Sequence, residues 1–255
     1  MNQPCVNNGG FASIIKLSQT PQLEQEASIP EAFRPSLEAW QARTGEILTV
    51  VGPEQSCYRA RLTSVADNDI RCVPFFQFQH SVESPLQIHV CQALPQKERF
   101  GLILEKLTEI GVFRIVPMET SHSVTFAEHE QRQKKSHRWP TLLRRASRQC
   151  RRALIPELYS PVSFADAVQL CQEAELKLLL CEKQAPWSLY EGIGSLKPSS
   201  VALMVGPEGG FGREEIQLAQ QVGILPVSLG PRMLRTETAA IVAATLLQGR
   251  LGDMN

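Results

Sequence analysis

Val201-Ala202-Leu203-Met204-Val205 runs directly into Gly206-Pro207-Glu208-Gly209-Gly210-Phe211-Gly212, and Arg213-Glu214-Glu215-Ile216 then opens a helix. An unbroken apolar run that stops at glycine reads as a buried strand, so the segment is strand, loop and helix in that order. Glycines let a main chain take positive φ and come close to a ligand, and the carboxyl end of a parallel strand is where open α/β sheets bind small molecules. A tight turn with no ligand uses the same residues. No Gly-Lys-Ser/Thr follows, which excludes a Walker loop, and the glycine spacing is not the Rossmann fingerprint, so phosphate binding is not the natural reading.

A second stretch has the same build. Pro226 to Leu229 reads as a strand, and Leu229-Gly230-Pro231-Arg232-Met233-Leu234-Arg235-Thr236-Glu237-Thr238-Ala239-Ala240 leads into a closing helix over Thr238 to Leu251. Thr236 or Thr238 can cap that helix, Glu237 suits its positive end, and Arg232 and Arg235 are cations close by. Two glycine-bearing loops, each at a strand end and one strand–helix unit apart, can meet as the walls of one site.

Outward from these loops the chain divides in two. From Gly45 to about Val90 short β-like runs (Ile47–Val51, Tyr58–Leu62, Gln87–Val90) alternate with Gly52-Pro53, Asp67-Asn68-Asp69 and Ser84-Pro85, the texture of a small barrel or sheet. The forty residues before them carry few structure signals and read as a loosely attached start. After Pro95 helices alternate with short apolar strands, which makes a parallel sheet. Lys97 to Ile110 is amphipathic, with Gly111 at its stop; Val112–Pro117 and Leu176–Cys181 read as strands, and Arg213–Val222 as a helix. There is no internal repeat.

Between Gln131 and Arg152 there are nine Lys/Arg and no Asp or Glu, although the chain as a whole has 26 of each sign. From Trp139-Pro140 the segment reads as a helix with Leu142, Leu143, Ala146, Cys150 and Ala153 inward and Arg144, Arg145, Arg148, Arg151 and Arg152 on the other side. A solvated basic face is the ordinary explanation. Five arginines in nine residues also fit phosphate neutralisation, which makes the segment a candidate nucleic-acid face.

With 255 residues, 43% hydrophobic, the chain has room for one large or two modest cores. No apolar run approaches the roughly 20 residues of a membrane span, and Met1-Asn2-Gln3-Pro4 has no export character, so a cytoplasmic location is expected. Seven scattered cysteines without Cys-x-x-Cys argue against structural zinc or a disulfide framework. The five histidines lack metal-ligand spacing, no Gly-x-Ser-x-Gly elbow is present, and Trp187 after Pro186 reads as a core or interface aromatic.

Glu105-Lys106-Leu107-Thr108-Glu109-Ile110-Gly111-Val112, Ile115-Val116-Pro117, Gln149 with Arg152, and both glycine loops, in this order and separation, resemble the RsmE family. These are bacterial small-subunit (16S) ribosomal RNA uridine-N3 methyltransferases of the SPOUT superfamily. The resemblance implies an α/β protein: residues 93–255 a parallel-sheet methyltransferase domain with a trefoil knot, residues 1–92 a smaller PUA-like β-barrel that helps grip RNA, the whole a homodimer without membrane or metal. It implies that S-adenosylmethionine is held by Gly206, Glu208, Gly209 and Gly210 on one side and Leu229, Gly230, Leu234, Arg235 and Thr238 on the other, with Leu203 and Val205 adding an apolar slot for adenine. Arg235 would stabilise charge on the uracil oxygens, and Glu237 would be base or orienting group. Lys97, Arg99, Lys106, Gln149, Arg151 and Arg152 are the expected RNA contacts. This chain departs from the family where Arg145 and Arg148 replace acidic residues, where His122 replaces an Arg, and where Trp40-Gln41-Ala42-Arg43-Thr44 stands before Gly45-Glu46. A different RNA uridine as substrate, or a non-catalytic RNA-binding protein on the same fold, are the alternatives.

Overall fold

Leu203 lies beside Val90 on one side and Leu178 on the other, all three without solvent exposure, at the centre of a sheet whose strands all pair in parallel. The structure, a computed structural model, describes residues 5–96, 99–133, 136–182 and 185–254. Its first sheet is antiparallel, built from β1 (Ala27–Ser28), β2 (Ile47–Val51), β3 (Cys57–Ala66) and β4 (Asp69–Gln77) in the order β1-β4-β3-β2. The second contains β5 (Gln87–Ala93), β6 (Arg114–Glu119), β7 (Glu157–Leu158), β8 (Val162–Ser163), β9 (Leu176–Leu180), β10 (Trp187–Ser188), β11 (Ser200–Val205) and β12 (Leu225–Ser228). Its order is β10-β12-β9-β11-β5-β6-β7, with β8 also on β6.

Apolar residues at most positions let these central strands bury both faces, which only a sheet covered on two sides can accept. Ile88, Val90, Leu178, Leu203 and Val205 face a core shared with α2 (Phe100–Glu109), α4 (Trp139–Gln149) and α8 (Thr236–Leu251). Cys91, Ala93, Leu179, Ala202 and Met204, at the alternate positions, face α5 (Phe164–Cys171) and α7 (Arg213–Gln221). The remaining helices are α1 (Arg34–Trp40), α3 (Phe126–Gln133) and α6 (Leu189–Ile193). The longest, α8, has 16 residues, and among the described residues no helix is long and apolar enough to cross a membrane.

Three sequence readings change. The strand Gln87–Val90, read with the small N-terminal barrel, is β5 at the centre of the parallel sheet, where Ile88, Val90, Cys91 and Ala93 are buried together with the polar His89 and Gln92. The four antiparallel strands form an open order and no closed barrel among the described residues. From Cys5 onward the N-terminal segment, read as loosely attached, is tied to the rest of the protein. Ile15 is fully buried, Trp40 Nε1 donates to the Ser13 carbonyl at 2.7 Å, and Asn7 Nδ2 donates to the Pro156 carbonyl at 2.8 Å. These long-range bonds leave no periodic trace in sequence.

His89, in β5, is 7% exposed, lies against the Phe113 ring, and has no hydrogen-bond partner for either ring nitrogen among the described residues. Burial, with Arg114 as a lesser cause, pushes its pKa from 6.5 down to about 4. The unfolded chain therefore takes up this proton first, so the stability carried by neutral His89 is complete above pH 6.5 and is lost as pH falls to about 4. Urea unfolding midpoints of His89→Leu are expected to fall less over that interval than those of the wild type; parallel losses would contradict the assignment.

Candidate active site

The two glycine loops meet. The loop after β11 and the loop after β12 enclose a cavity of about 250 Å³ at the carboxyl ends of β9, β11 and β12. Gly206, Pro207, Glu208, Gly209, Gly210 and Phe211 form one wall and Leu229, Gly230, Arg232, Met233 and Leu234 the other. Gly210 at φ +71° and Gly230 at φ +111° hold conformations that L side chains rarely adopt, and each has open space where a side chain would stand. Main chain, rather than side chains, is thereby presented to the cavity.

Polar bonds hold both walls. Thr236 Oγ1 donates to the Gly206 carbonyl at 2.6 Å and accepts from Gln92 Nε2 at 3.0 Å, joining α8, β11 and β5 at one hydroxyl. Glu215 Oε2 accepts from the Gly212 amide (2.7 Å) and the Ser121 hydroxyl (3.0 Å), tying the first loop to the segment after β6. His122 Nδ1 lies 3.2 Å from the Gly210 carbonyl, and a Cβ on Gly209 would stand 3.0 Å from that of His122. The Gln96 amide donates to the carboxylate of Glu208 at 3.2 Å.

Of the residues read from sequence as cofactor contacts, Val205, Gly206, Glu208, Gly209, Gly210, Leu229, Gly230 and Leu234 line the cavity. Leu203 does not, since it lies two residues back in β11 and is enclosed by core. Arg235 and Thr238 are exposed and outside the lining; Arg235 takes the cap position of α8 in extended backbone (φ −67°, ψ 151°), and Thr236 turns inward in its place. Leu180, Cys181 and Glu182, a third wall at the end of β9, were not read from sequence. Leu176–Cys181 is legible as a strand, but only the order β12-β9-β11 puts it between the loops.

Glu237 is 8% exposed, with Oε1 paired to the Arg99 guanidinium and Oε2 buried without a partner among the described residues. This pair joins the start of α2 to the first turn of α8 and occupies Arg99. Lys106 lies between Glu105 (2.8 Å) and Glu109 (2.9 Å), whose hydrogen bonds push its pKa up. Gln149 and Arg151 are exposed, and Lys97 lies outside the described residues. Among the described residues no group of three or more His, Cys, Asp or Glu could hold a metal ion.

The expected RNA contact at Arg152 is corrected. Its side chain is 5% exposed, Nη2 lies 2.7 Å from Glu83 Oε2, and Nη1 donates to the carbonyls of Thr108 (3.1 Å) and Val112 (2.8 Å). An arginine with these partners is a clamp between α2, β6 and the segment before β5. Arg148 is likewise held by Glu46 (2.9 Å) and the Trp40 carbonyl. The basic face read from Arg144, Arg145, Arg148, Arg151 and Arg152 is therefore split between structural and solvated arginines. Arg152→Ala takes the cation from partly buried Glu83, whose Oε1 keeps the Ala153 and Leu154 amides, and removes the donor to the Thr108 and Val112 carbonyls; it should lower unfolding free energy by about 3 kcal/mol, and a loss under 1 kcal/mol in urea titration would contradict the clamp.

Residues 82–248 match a family model described as an RNA methyltransferase domain. Ribosomal RNA small subunit methyltransferase E of Buchnera aphidicola (from Acyrthosiphon pisum) is 30% identical over 217 residues, covering 82% of this chain and 81% of that protein. Its namesake in Bacillus subtilis is 29% identical over 195 residues, covering 74% and 76%. Among solved structures, a ribosomal RNA small subunit methyltransferase E from Neisseria gonorrhoeae bound to S-adenosyl methionine aligns with a TM-score of 0.66 at 26% identity, covering 94% of this chain and 98% of that one.

Proposed function

From the premise that this chain belongs to the RNA methyltransferase domain family, among the ribosomal RNA small subunit methyltransferase E proteins, we propose that it transfers a methyl group from S-adenosylmethionine to N3 of a uridine in small-subunit ribosomal RNA. The observation that carries this reading is the single cavity between two glycine loops joined at Thr236. Its chemistry fits the cofactor. Leu180, Val205, Val227 and Leu229 offer an apolar slot for adenine, the backbone at Gly210 and Gly230 leaves room free of side-chain obstruction, and Glu182, Glu208 and Arg232 supply charge for a zwitterionic ligand.

The bound cofactor supplies an activated methyl group, so the chain's own task is to position the uracil and remove the N3 proton. Arg235 is exposed at the start of α8, with no ion pair among the described residues, which suits a cation meeting the uracil oxygens. Glu237 has one oxygen committed to Arg99 and one without a partner, which favours it as the group that orients the substrate. Gln149 and Arg151 remain as RNA contacts; Arg99, Lys106 and Arg152 act through protein carboxylates instead. The division into an RNA-gripping part near residues 1–92 and a methyltransferase part after it is retained, with β5 belonging to the latter's sheet. A PUA-like origin for the small sheet and a trefoil knot in the larger part belong to the same reading.

A homodimer has support from α8. Ala240, Ala243, Ala244 and Leu247 are buried, while Ile241 and Val242 on its other side remain partly open, and Leu102 on α2 alongside is 45% exposed. A helix apolar all round asks for cover on its second face. Val242→Glu is expected to sediment as a monomer where the wild type sediments as a dimer; an unchanged sedimentation coefficient would remove α8 from the interface.

Calorimetry is expected to show one S-adenosylmethionine site per chain, and ribosomal RNA from a deletion strain to lack one N3-methyluridine by nucleoside mass spectrometry. Cofactor binding with an unchanged nucleoside profile would favour the non-catalytic alternative; no cofactor binding would end the proposal.

A further inference from the structure

One face of the small antiparallel sheet is core: Leu48, Val50, Tyr58, Ala60, Leu62 and Cys72 are buried. The alternate positions belong to the opposite face. There Thr49 pairs with Arg59, and Arg59 with Phe76; Ile47 pairs with Arg61, and Arg61 with Val73. Directly opposed residues in adjacent strands share a face, so Arg59, Arg61 and Phe76 lie together.

The register shifts between Arg59 and Ala60, whose partners are Phe76 and Pro74, so Phe75 is an extra residue in β4. Such a bulge re-aims side chains. Phe75 is 37% and Phe76 48% exposed, where strict alternation would hide one of the two. The Phe78 ring meets Phe76 edge-on, 5.2 Å between centroids, which fixes the Phe76 ring while leaving a face open.

The cations nearby lack acidic partners. Arg59 Nη1 donates to Thr49 Oγ1 at 3.0 Å, and that hydroxyl donates to the Arg151 carbonyl at 2.8 Å, which brings the end of the basic segment up to the sheet. Burial and then the charge of Arg151 press the Arg59 pKa down. Arg59, Arg61 and Arg151 make no ion pair among the described residues, whereas neighbouring Arg71 and Arg148 are matched by Glu26, Asp69 and Glu46. An exposed aromatic among uncompensated arginines is poor as a stability device and good as a surface for a polyanion whose bases are free to stack.

We propose that this face is a platform for unpaired nucleotides of RNA, with Phe76 stacking on a base and Arg59, Arg61 and Arg151 meeting the flanking phosphates. It rests on the RNA methyltransferase reading for the class of partner, and adds that the bound RNA is single-stranded there. A duplex hides its base faces, so the platform should prefer a strand. Fluorescence anisotropy with a labelled oligouridine strand and with a duplex of equal length tests this on the full chain. The wild type should bind the strand more tightly; Phe76→Ala should weaken that binding roughly tenfold, within the range of a lost stacking contact. Phe76→Tyr should keep it, and Arg59→Ala should reduce the salt slope by about one phosphate contact. Equal affinity of wild type and Phe76→Ala for the strand, or tighter binding of the duplex, would overturn the platform. Calorimetry with S-adenosylmethionine on the same samples separates the two proposals, since Phe76→Ala should bind cofactor as the wild type does, and a wild type that binds none would end the methyltransferase reading alone.

Discussion

The Thr236 hydroxyl is the point on which the site depends. It donates to the carbonyl at the end of β11 and accepts from a fully buried glutamine at the end of β5, so three segments distant in sequence share one polar junction. A backbone carbonyl and a buried amide both need partners in a dry interior. The hydroxyl meets both, and the two glycine loops are brought to opposite sides of one cavity. Glycine freedom then matters at Gly210 and Gly230, where positive φ turns main chain toward the space enclosed.

A second layer of constraints works by charge. Arg152 with Glu83, Arg99 with Glu237 and Arg148 with Glu46 each join segments that the chain order separates; Arg152 is buried by its pair, and Arg99 and Arg148 stay partly exposed but neutralised. Cations left without such partners, Arg59, Arg61 and Arg151, collect on the face of the small sheet. A near-neutral chain thereby presents a local basic surface. The acidic residues that balance it are spent inside ion pairs and helix caps, as Glu215 is at α7.

Much of the framework was legible because its signals are short-ranged. Short apolar runs identified β9, β11 and β12, the last two stopping at glycine, the spacing of Phe100, Ile103, Leu104 and Leu107 identified α2, and the residues around Gly206 and Gly230 identified two cavity walls. Misreadings have a common cause. β5 was grouped with the small sheet because a strand's neighbour is not encoded beside it, and Arg152 was read as solvated because Glu83 lies 69 residues away. The third wall at Leu180 to Glu182 and the pairing of Arg59 with Phe76 depend in the same way on strand order and register.

By itself the sequence determined the longer strands of the parallel sheet, where the chain must turn on glycine, and that the two turns before α7 and α8 are built alike, since hydrophobic period and positive φ are properties of a few consecutive residues. Tertiary structure alone decided that those turns share a cavity, which arginines are neutralised, and that two phenylalanines face solvent together. Each of these outcomes rests on contacts between residues far apart in the chain, and such a contact has no energy until the fold has brought its two halves within reach.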